Sequence, residues 1–262
     1  MHRIVEGIVL RETETKEADK ILTVLTRAEG KLSVIARGAR RKNSRIAAAS
    51  QLLVYSEMTL FQRGNWDILD EASTIELFPG VRQDLELLAL GSYFAEMTEA
   101  LTEEDVPAPE TLPLLLNALF ALGTLKKPPL QVKSAFELRL LSLSGYEPML
   151  EGCAVCGEET PKEPMLDVMQ GLLHCKPCAL QGIRGLSMPL CAASLQAMRH
   201  VVSCDPKRLY AFTLDESAQR RMADATEAFA AAQLERGFRT LDFYKSMRIY
   251  DAKTAQQTAQ ET

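Results

Sequence analysis

The sequence lacks the short motifs that mark the common enzyme classes. The chain has only three histidines, and none of them stands in a His-Glu-x-x-His pair. It contains no Gly-x-x-x-x-Gly-Lys-Ser/Thr phosphate loop, no Gly-x-Gly-x-x-Gly turn and no Gly-x-Ser-x-Gly elbow. These absences argue against nucleotide hydrolysis, dinucleotide binding and serine-hydrolase chemistry, and we expect a protein that is not an enzyme.

Long apolar runs and a strong charge bias are absent as well. No run of eighteen apolar residues and no signal-peptide pattern occurs, so we expect neither membrane insertion nor export. The net charge is −5, and any nucleic-acid binding must therefore depend on a local basic patch. The hydrophobic fraction of 47% and the charged fraction of 25% are typical of a soluble globular protein.

Four of the six cysteines stand in two Cys-x-x-Cys pairs. The four residues are Cys153, Cys156, Cys175 and Cys178. Two such pairs can present four thiolates to one tetrahedral ion, so the pattern predicts one structural Zn²⁺ in a ribbon of two short strands. A redox dithiol needs only one pair, and a closed four-thiolate shell leaves no position for the water of a zinc hydrolase. Cysteines kept for a metal favour a reducing, cytoplasmic compartment.

Residues 1–79 predict a small β-barrel. Short runs rich in valine, isoleucine and leucine are separated by turn residues, at 3–11, 20–26, 31–37, 52–61 and 66–77. Five strands in fewer than eighty residues, with a longer connection after the third, are typical of a Greek-key barrel of the OB type.

Residues 80–250 predict an all-α domain with the zinc ribbon inserted at 151–180. Apolar residues recur at helical spacing in five segments, at 87–101, 112–122, 132–143, 195–202 and 222–232. The polar residues 251–262 predict a disordered tail. The expected fold class is therefore α+β, with an OB-fold barrel followed by a helical domain that carries a four-cysteine insert.

The most basic stretch is residues 37–45, directly after the third predicted strand. It contains no acidic residue and five basic ones, Arg37, Arg40, Arg41, Lys42 and Arg45. Forked guanidinium donors at a connection beside the usual binding face of an OB barrel indicate phosphate binding. A solvated surface loop is the alternative interpretation. Trp66, Phe61 and Tyr55 either stack on bases or belong to the barrel core.

Several motifs resemble the bacterial RecO family of recombination mediators. In the N-terminal region they are Gly7-Ile-Val-Leu10, Glu17-Ala-Asp19-Lys20, Glu29-Gly30-Lys31 and Val34-Ile-Ala-Arg37-Gly38-Ala39-Arg40. In the central region they are Phe136-Glu137-Leu138-Arg139-Leu140-Leu141 and Gly145-Tyr146-Glu147-Pro148. The similarity extends over about residues 1–248, and the motifs follow one another in the same order as in the family. It implies an OB fold, a C-terminal helical domain and a zinc-binding insert.

The resemblance also implies a function in recombinational DNA repair. It implies binding of single- and double-stranded DNA, annealing of complementary strands and, together with RecR, help to RecA in displacing the single-stranded-DNA-binding protein. The five basic residues of 37–45 carry over as DNA contacts, and the expected location is the nucleoid in the cytoplasm. An RNA-binding or ribosome-associated protein with an OB barrel and a zinc ribbon is the alternative, because a basic loop does not separate RNA from DNA.

A partner site is implied in the helical domain. The tail of the single-stranded-DNA-binding protein is acidic and ends in apolar residues, so the resemblance suggests a groove with a basic rim. The candidates for that rim lie near apolar helix faces and are Lys126, Lys127, Lys133 and Arg139.

Overall fold

The computed structural model describes residues 2–181 and 185–248. The chain divides into two compact units, one formed by Met1–Leu125 with Phe238–Thr262 and the other by Lys126–Gly237. The tail expected at residues 251–262 lies outside the described residues. Within the described parts of the chain, no helix is both long and apolar enough to cross a membrane.

The first unit contains a closed five-stranded barrel. Its strands are β1 (His2–Thr15), β2 (Asp19–Thr26), β3 (Lys31–Ala36), β4 (Tyr55–Arg63) and β5 (Trp66–Glu76). The long strand β1 pairs with both β2 and β4, and β3 pairs with β5 in parallel, which closes the order β1-β2-β3-β5-β4. The barrel confirms the OB-type prediction.

Alternating side chains fill the inside of the barrel. Because successive residues of a strand face opposite sides, every second residue points inward. The buried cluster consists of Val5, Val9, Leu22, Val24, Leu32, Val34, Ala36, Ala39, Ile46, Met58, Leu60 and Leu69. Burying each larger aliphatic side chain contributes about 1.5–3 kcal/mol. The connection between β3 and β4 adds Ala39 and Ile46 to this core, so the segment that leaves β3 is anchored to the barrel.

Three helices follow the barrel in the sequence of the first unit. They are α1 (Pro79–Arg82), α2 (Leu85–Leu101) and α3 (Thr111–Gly123). The Asp84 carboxylate caps α2 by accepting from the backbone N–H of Leu87 at 3.0 Å. A Cβ on Gly80 would lie 2.2 Å from the carbonyl oxygen of Gly123, so only glycine permits this approach of α1 to α3.

The second unit combines helices with a small sheet. Its helices are α4 (Pro129–Leu143), α5 (Ala192–Ser203) and α6 (Glu216–Leu234). Between α4 and α5 lie the strands β6 (Pro164–Asp167), β7 (Leu172–Cys175) and β8 (Ser187–Pro189), in the order β7-β6-β8. The hairpin of β6 and β7 is the predicted ribbon. The three residues of β8 were not predicted, because so short a strand shows no alternation.

Residues 239–248 form a further helix, α7, that belongs to the first unit. The Glu96 carboxylate of α2 accepts from the backbone N–H and the hydroxyl of Thr240 at the start of α7. The rings of Tyr93 and Phe238 meet edge to face at 5.4 Å. These contacts join α7 to α2. The boundaries of the two compact units therefore differ from the domain boundary at residue 79 that the sequence predicted.

Candidate nucleic-acid interface and metal centre

The basic segment, residues 37–45, lies on the surface at the end of β3. All five of its cationic side chains are exposed, namely Arg37, Arg40, Arg41, Lys42 and Arg45. Ala39 is only 3% exposed and packs into the barrel core between them. The barrel thus holds the backbone of the segment while its charged groups face solvent.

Hydrogen bonds tie the basic segment to the first residue of β2 and to the residue before it. The backbone N–H of Gly38 donates to Asp19 Oδ1 at 2.8 Å, and the backbone N–H of Arg40 donates to the carbonyl of Ala18 at 3.0 Å. Gly38 has a φ of 64°, a conformation that favours glycine, and its carbonyl accepts from the N–H of Arg41 at 3.0 Å. The segment is therefore a fixed turn.

The cations of the basic segment differ in their ionic partners. Arg40 Nη2 lies 3.1 Å from Glu14 Oε2, so this guanidinium already has a carboxylate beside it. Arg37, Arg41, Lys42 and Arg45 form no ion pair with any residue that the structure describes. Four exposed and uncompensated cations on one turn favour contact with phosphate groups.

The three aromatic candidates have different environments. Trp66 is 48% exposed at the start of β5. Phe61 is half-buried, and its ring centroid lies 5.1 Å from that of His2. The Tyr55 hydroxyl donates to Glu6 Oε2 at 2.7 Å; burial, together with this hydrogen bond, raises the pKa of Tyr55 to about 12. Among the three, Trp66 presents the most open ring.

The four predicted metal ligands come together in the second unit. The Sγ atoms of Cys153, Cys156, Cys175 and Cys178 all lie within 4.8 Å of one another. Cys156 Sγ and Cys175 Sγ are 3.7 Å apart. Four sulfurs at the usual Zn–S distance around one tetrahedral ion would be about 3.8 Å apart. The donor set and its spacing therefore fit a tetrahedral metal ion, which confirms the predicted grouping of the cysteines.

The backbone around the first cysteine prepares it for a metal. The N–H of Gly157 donates to the carbonyl of Cys153 at 2.8 Å, and the N–H of Cys175 donates to Cys153 Sγ at 3.3 Å. Burial by itself raises the pKa of Cys153, but backbone N–H groups of Cys156, Cys175 and Val155 outweigh it and lower the pKa to about 6. The thiolate is the form that binds metal.

His174 supports the cysteine cluster without joining it. Its ring is fully buried, with Nδ1 at 3.0 Å from the carbonyl oxygen of Cys175 and Nε2 at 2.8 Å from the hydroxyl of Ser187. A carbonyl oxygen can only accept, so Nδ1 donates the hydrogen bond. Both ring nitrogens are therefore engaged, and the ring fixes β7 at the point where it ends in Cys175.

The predicted basic rim is wrong for Lys133. This side chain is 2% exposed, with its Nζ at 2.8 Å from Glu137 Oε1 and 2.9 Å from Glu227 Oε2. The Glu137 carboxylate also accepts from the hydroxyl of Thr226 at 2.8 Å. An ammonium buried between two carboxylates of α4 and α6 is not available to a partner.

The other rim candidates have mixed environments. The guanidinium of Arg139 is half-buried and donates to the carbonyl of Val202 at the end of α5, a capping contact. Lys126 is exposed and Lys127 is half-buried in the segment before α4. Their role at a partner groove stays a prediction.

Two acidic residues near the basic segment were missed by the sequence analysis. Asp19 fixes the turn at Gly38, and Glu14 pairs with Arg40. Asp19 belongs to one of the quoted motifs, but nothing in the local pattern connects it with residue 38. The contact exists only because β2 and β3 are neighbours in the folded barrel.

A closed OB-type barrel with an exposed cationic turn, followed by helices that carry a four-cysteine ribbon, defines a class of two-part proteins with a candidate nucleic-acid interface and a candidate metal centre. Family models described as "Recombination protein O N terminal" and "Recombination protein O C terminal" match residues 1–78 and 82–242. The chain therefore belongs to the Recombination protein O (RecO) family.

Curated relatives carry the same family name over nearly their whole length. A protein named "DNA repair protein RecO" from Acetivibrio thermocellus is 32% identical over 241 residues, covering 92% of this chain and 95% of that protein. A protein of the same name from Symbiobacterium thermophilum is 34% identical over 248 residues, covering 93% of this chain and 97% of that protein. These matches confirm the resemblance first noted in the motifs.

Proposed function

We propose that the chain is a non-enzymatic, DNA-binding recombination mediator in DNA repair. It binds single- and double-stranded DNA through the basic segment and anneals complementary strands. With RecR, it helps to load RecA onto single strands coated by the single-stranded-DNA-binding protein. Four exposed cations of the basic segment, which form no ion pair among the residues that the structure describes, carry the DNA-binding part of this proposal. The protein partners rest on membership of the RecO family.

The annealing mechanism is electrostatic. Two complementary strands repel each other through their phosphates, and this repulsion is strongest at low salt. Guanidinium and ammonium groups on a fixed turn neutralise phosphates on both strands and allow them to approach. Base pairing then supplies the free energy. Because phosphate contacts carry no sequence information, annealing is independent of the sequence of the strands.

Zinc has a structural role in this proposal. Cys153, Cys156, Cys175 and Cys178 would hold the ion, and a closed shell of four thiolates stabilises the fold of the ribbon. The ion would take no part in DNA contacts. Each cysteine is deprotonated when it binds, and the N–H groups around Cys153 favour that state.

An annealing assay tests the proposal. Two complementary oligonucleotides should pair faster with stoichiometric protein than alone, and ATP should change nothing. The acceleration should fall steeply with salt, because it depends on neutralising phosphates. An absolute requirement for ATP, or an acceleration that does not respond to salt, contradicts the mechanism.

A competition assay separates DNA from RNA as the ligand. Labelled single-stranded DNA bound to the protein is challenged with unlabelled DNA or RNA of the same sequence. A DNA repair protein should release its label more readily to DNA. Stronger competition by RNA favours the alternative of an RNA-binding or ribosome-associated protein.

A further inference from the structure

The two Cys-x-x-Cys turns of the candidate metal centre have different surroundings. The second turn, residues 175–178, begins at the last residue of β7, and β7 pairs with β6 along its full length. The first turn, residues 153–156, lies within residues 150–163, which form neither a helix nor a strand. A loop without secondary structure has more conformational freedom to lose on ordering than a turn that a strand already holds. The first turn therefore depends on contacts outside the sheet.

Arg199 of α5 joins the two ends of the loop that carries the first turn. Its Nε donates to the carbonyl oxygen of Leu150 at 2.8 Å, and its Nη2 donates to the carbonyl oxygens of Glu151 at 2.9 Å and Glu159 at 2.7 Å. Leu150 and Glu151 precede the first turn, and Glu159 follows it. We call residues 150–159 the first loop and these three hydrogen bonds the arginine clasp.

The chemistry of arginine suits this clasp. A guanidinium presents several N–H donors in one rigid plane, so a single side chain can reach acceptors from different parts of the chain. Hydrogen bonds from a charged donor are stronger than those between neutral groups. The two ends of the first loop are thus held together by one cation, without a disulfide or a strand between them.

Packing and capping fix α5 independently of the metal ligands. The buried face of α5 includes Leu195 and Met198, and the helix packs against α4 and α6. At its start, the backbone N–H of Cys191 donates to the hydroxyl of Ser194 at 2.8 Å. These contacts involve neither the first loop nor the four ligand cysteines. The position of Arg199 is therefore set by the helix on which it lies.

The middle of the first loop is held by a different contact. The backbone N–H of Ala154 donates to the carbonyl oxygen of Leu173 in β7 at 2.8 Å, which brings the first turn beside the strand that ends in Cys175. Within the loop, the N–H of Cys153 donates to the carbonyl oxygen of Glu158 at 2.9 Å. The strand contact orients the turn, and the clasp closes the chain on both sides of it.

We propose that Arg199 is a positioning residue of the metal centre, which holds the first turn in its metal-binding conformation. The inference rests on the proposed structural zinc and extends it, because it assigns metal retention to a residue outside the four ligands. When the clasp has already joined the two ends of the loop, less conformational entropy is lost as the metal binds. Loss of Arg199 should therefore weaken the hold of the first turn on the metal more than that of the second.

Competition for zinc measures the contribution of Arg199. The zinc-loaded full chain is titrated with a chelating dye whose absorbance reports the metal that it captures. Arg199→Ala should bind zinc about tenfold more weakly than the original protein, since loss of a group that orients metal ligands typically weakens metal affinity by about 10- to 100-fold. Arg221→Ala is the matched control and should leave the affinity unchanged. Arg221 is an exposed arginine of the same unit, and its Nη1 donates to the carbonyl oxygen of Leu190 at 3.4 Å, outside the first loop.

Alkylation of the cysteines separates positioning from a general loss of stability. Protein in excess zinc is treated with iodoacetamide, and the labelling of each cysteine is followed by mass spectrometry. In Arg199→Ala, the labelling of Cys153 and Cys156 should accelerate more than that of Cys175 and Cys178, each compared with the same residue of the original protein. Hydrogen exchange in α4 and α6 should be unchanged. Equal acceleration at all four cysteines, or lost protection in α4 and α6, shows general destabilisation and overturns the proposal.

Arg199→Lys separates the geometry of the clasp from its charge. Lysine suits a helix as well as arginine does, so this variant should fold even where Arg199→Ala does not. It keeps the positive charge but has no planar fork, and it should bind zinc nearly as weakly as Arg199→Ala. Zinc affinity equal to that of the original protein overturns the clasp.

The zinc titration also separates this inference from the proposed role of the metal. If the original protein binds no zinc, the proposed structural zinc fails, and the positioning role fails with it. If the original protein binds zinc and Arg199→Ala binds it equally tightly, only the positioning role is wrong. Weaker binding in Arg199→Ala, with Arg221→Ala unchanged and the first turn labelled preferentially, is the result that we expect.

Discussion

The barrel and the ribbon are stabilised by different means. The barrel closes around twelve buried apolar residues, and its cations lie outside that core. The ribbon has two short strands, β6 and β7, whose buried apolar side chains are few, and the four cysteines converge on one point. Residues with a proposed function are therefore separate from the stabilising ones in the barrel. In the ribbon the four cysteines are both the residues with a proposed function and the residues that stabilise the fold.

The same contrast applies to lysine in the two units. In the basic segment Lys42 is exposed and has no ionic partner in the described structure. In the second unit Lys133 is buried and contacts two carboxylates. Removing the first cation should change binding and spare stability, whereas removing the second should do the reverse.

The largest expected effect is the loss of the metal. Cys153→Ser, or treatment with a strong chelator, should unfold the ribbon while the barrel keeps its structure, because the metal contributes folding free energy only where its ligands are. Hydrogen exchange should show lost protection in β6 and β7 and unchanged protection in β2 and β3. Cys204→Ser, at a cysteine outside the cluster, is the control. Protein prepared without chelators should contain one zinc per chain, and a finding of none contradicts the prediction.

The next effect is on the stability of the second unit. Lys133→Ala should lower the free energy of unfolding by about 3–5 kcal/mol, because the fully buried Glu137 carboxylate loses the ammonium group 2.8 Å away. Urea unfolding measures the change. The double variant Lys133→Met with Glu137→Leu should recover much of the loss, since it removes both charges and keeps apolar volume. Lys126→Ala, at an exposed lysine, should change stability by less than about 0.5 kcal/mol.

The buried lysine also gives a pH dependence. Burial alone lowers the pKa of Lys133, but the carboxylates of Glu137 and Glu227 outweigh it and raise the pKa above the usual value of 10.5. A pKa that is higher in the folded than in the unfolded state stabilises the fold below the unfolded value. The contribution should therefore be complete at neutral pH and disappear as the pH rises through the folded pKa. A Lys133→Met variant should lack this alkaline transition.

The third effect is on DNA binding alone. Changing Arg40, Arg41 and Lys42 together to alanine should make the log–log salt dependence of single-strand binding shallower by about two units, if each contacts one phosphate. Thermal unfolding should be unchanged, because these side chains are exposed. A control that removes the same charge from exposed positions of the second unit changes Lys207, Arg208 and Arg220. An unchanged affinity and salt slope would return the segment to the interpretation of a solvated loop.

Local chemistry made much of the structure predictable from the sequence. The cysteine cluster was predicted correctly because each Cys-x-x-Cys pair is a short turn that brings its own two ligands together. The barrel strands were predicted because their apolar alternation is local. The end of β1 was missed, since residues 12–15 are polar and mostly exposed, and only pairing with β2 makes them a strand. The start of β4 was set too early, because Leu53 adopts a positive φ of 61°.

Contacts between distant residues were not predictable. The partner of Lys133 four residues away, Glu137, was visible in the sequence, but Glu227 is 94 residues away. Without that second carboxylate, a lysine on an apolar helix face suggested an exposed rim. The contact between Ile35 and Ile68 was missed for the same reason, because these residues meet only through the parallel pairing that closes the barrel.

The smallest expected effect comes from removing the charge of Glu14, whose carboxylate pairs with the Arg40 guanidinium in the protein without DNA. A phosphate must displace this carboxylate before it can bind the same guanidinium. Both side chains are well exposed, and such ion pairs contribute at most about 1 kcal/mol. Glu14→Gln should therefore tighten DNA binding by about two- to fivefold and steepen its salt dependence slightly, because one more cation is available.

Glu12→Gln is the matched control for this change. Glu12 lies on the same strand and pairs with Lys20, not with the basic segment, so the variant alters the net charge equally. If both variants tighten binding to the same extent, the effect is one of net charge, and Arg40 is not held back by Glu14. If only Glu14→Gln tightens binding, and the gain vanishes when Arg40 is also changed to alanine, then the Glu14 carboxylate is the anion that a DNA phosphate displaces from Arg40.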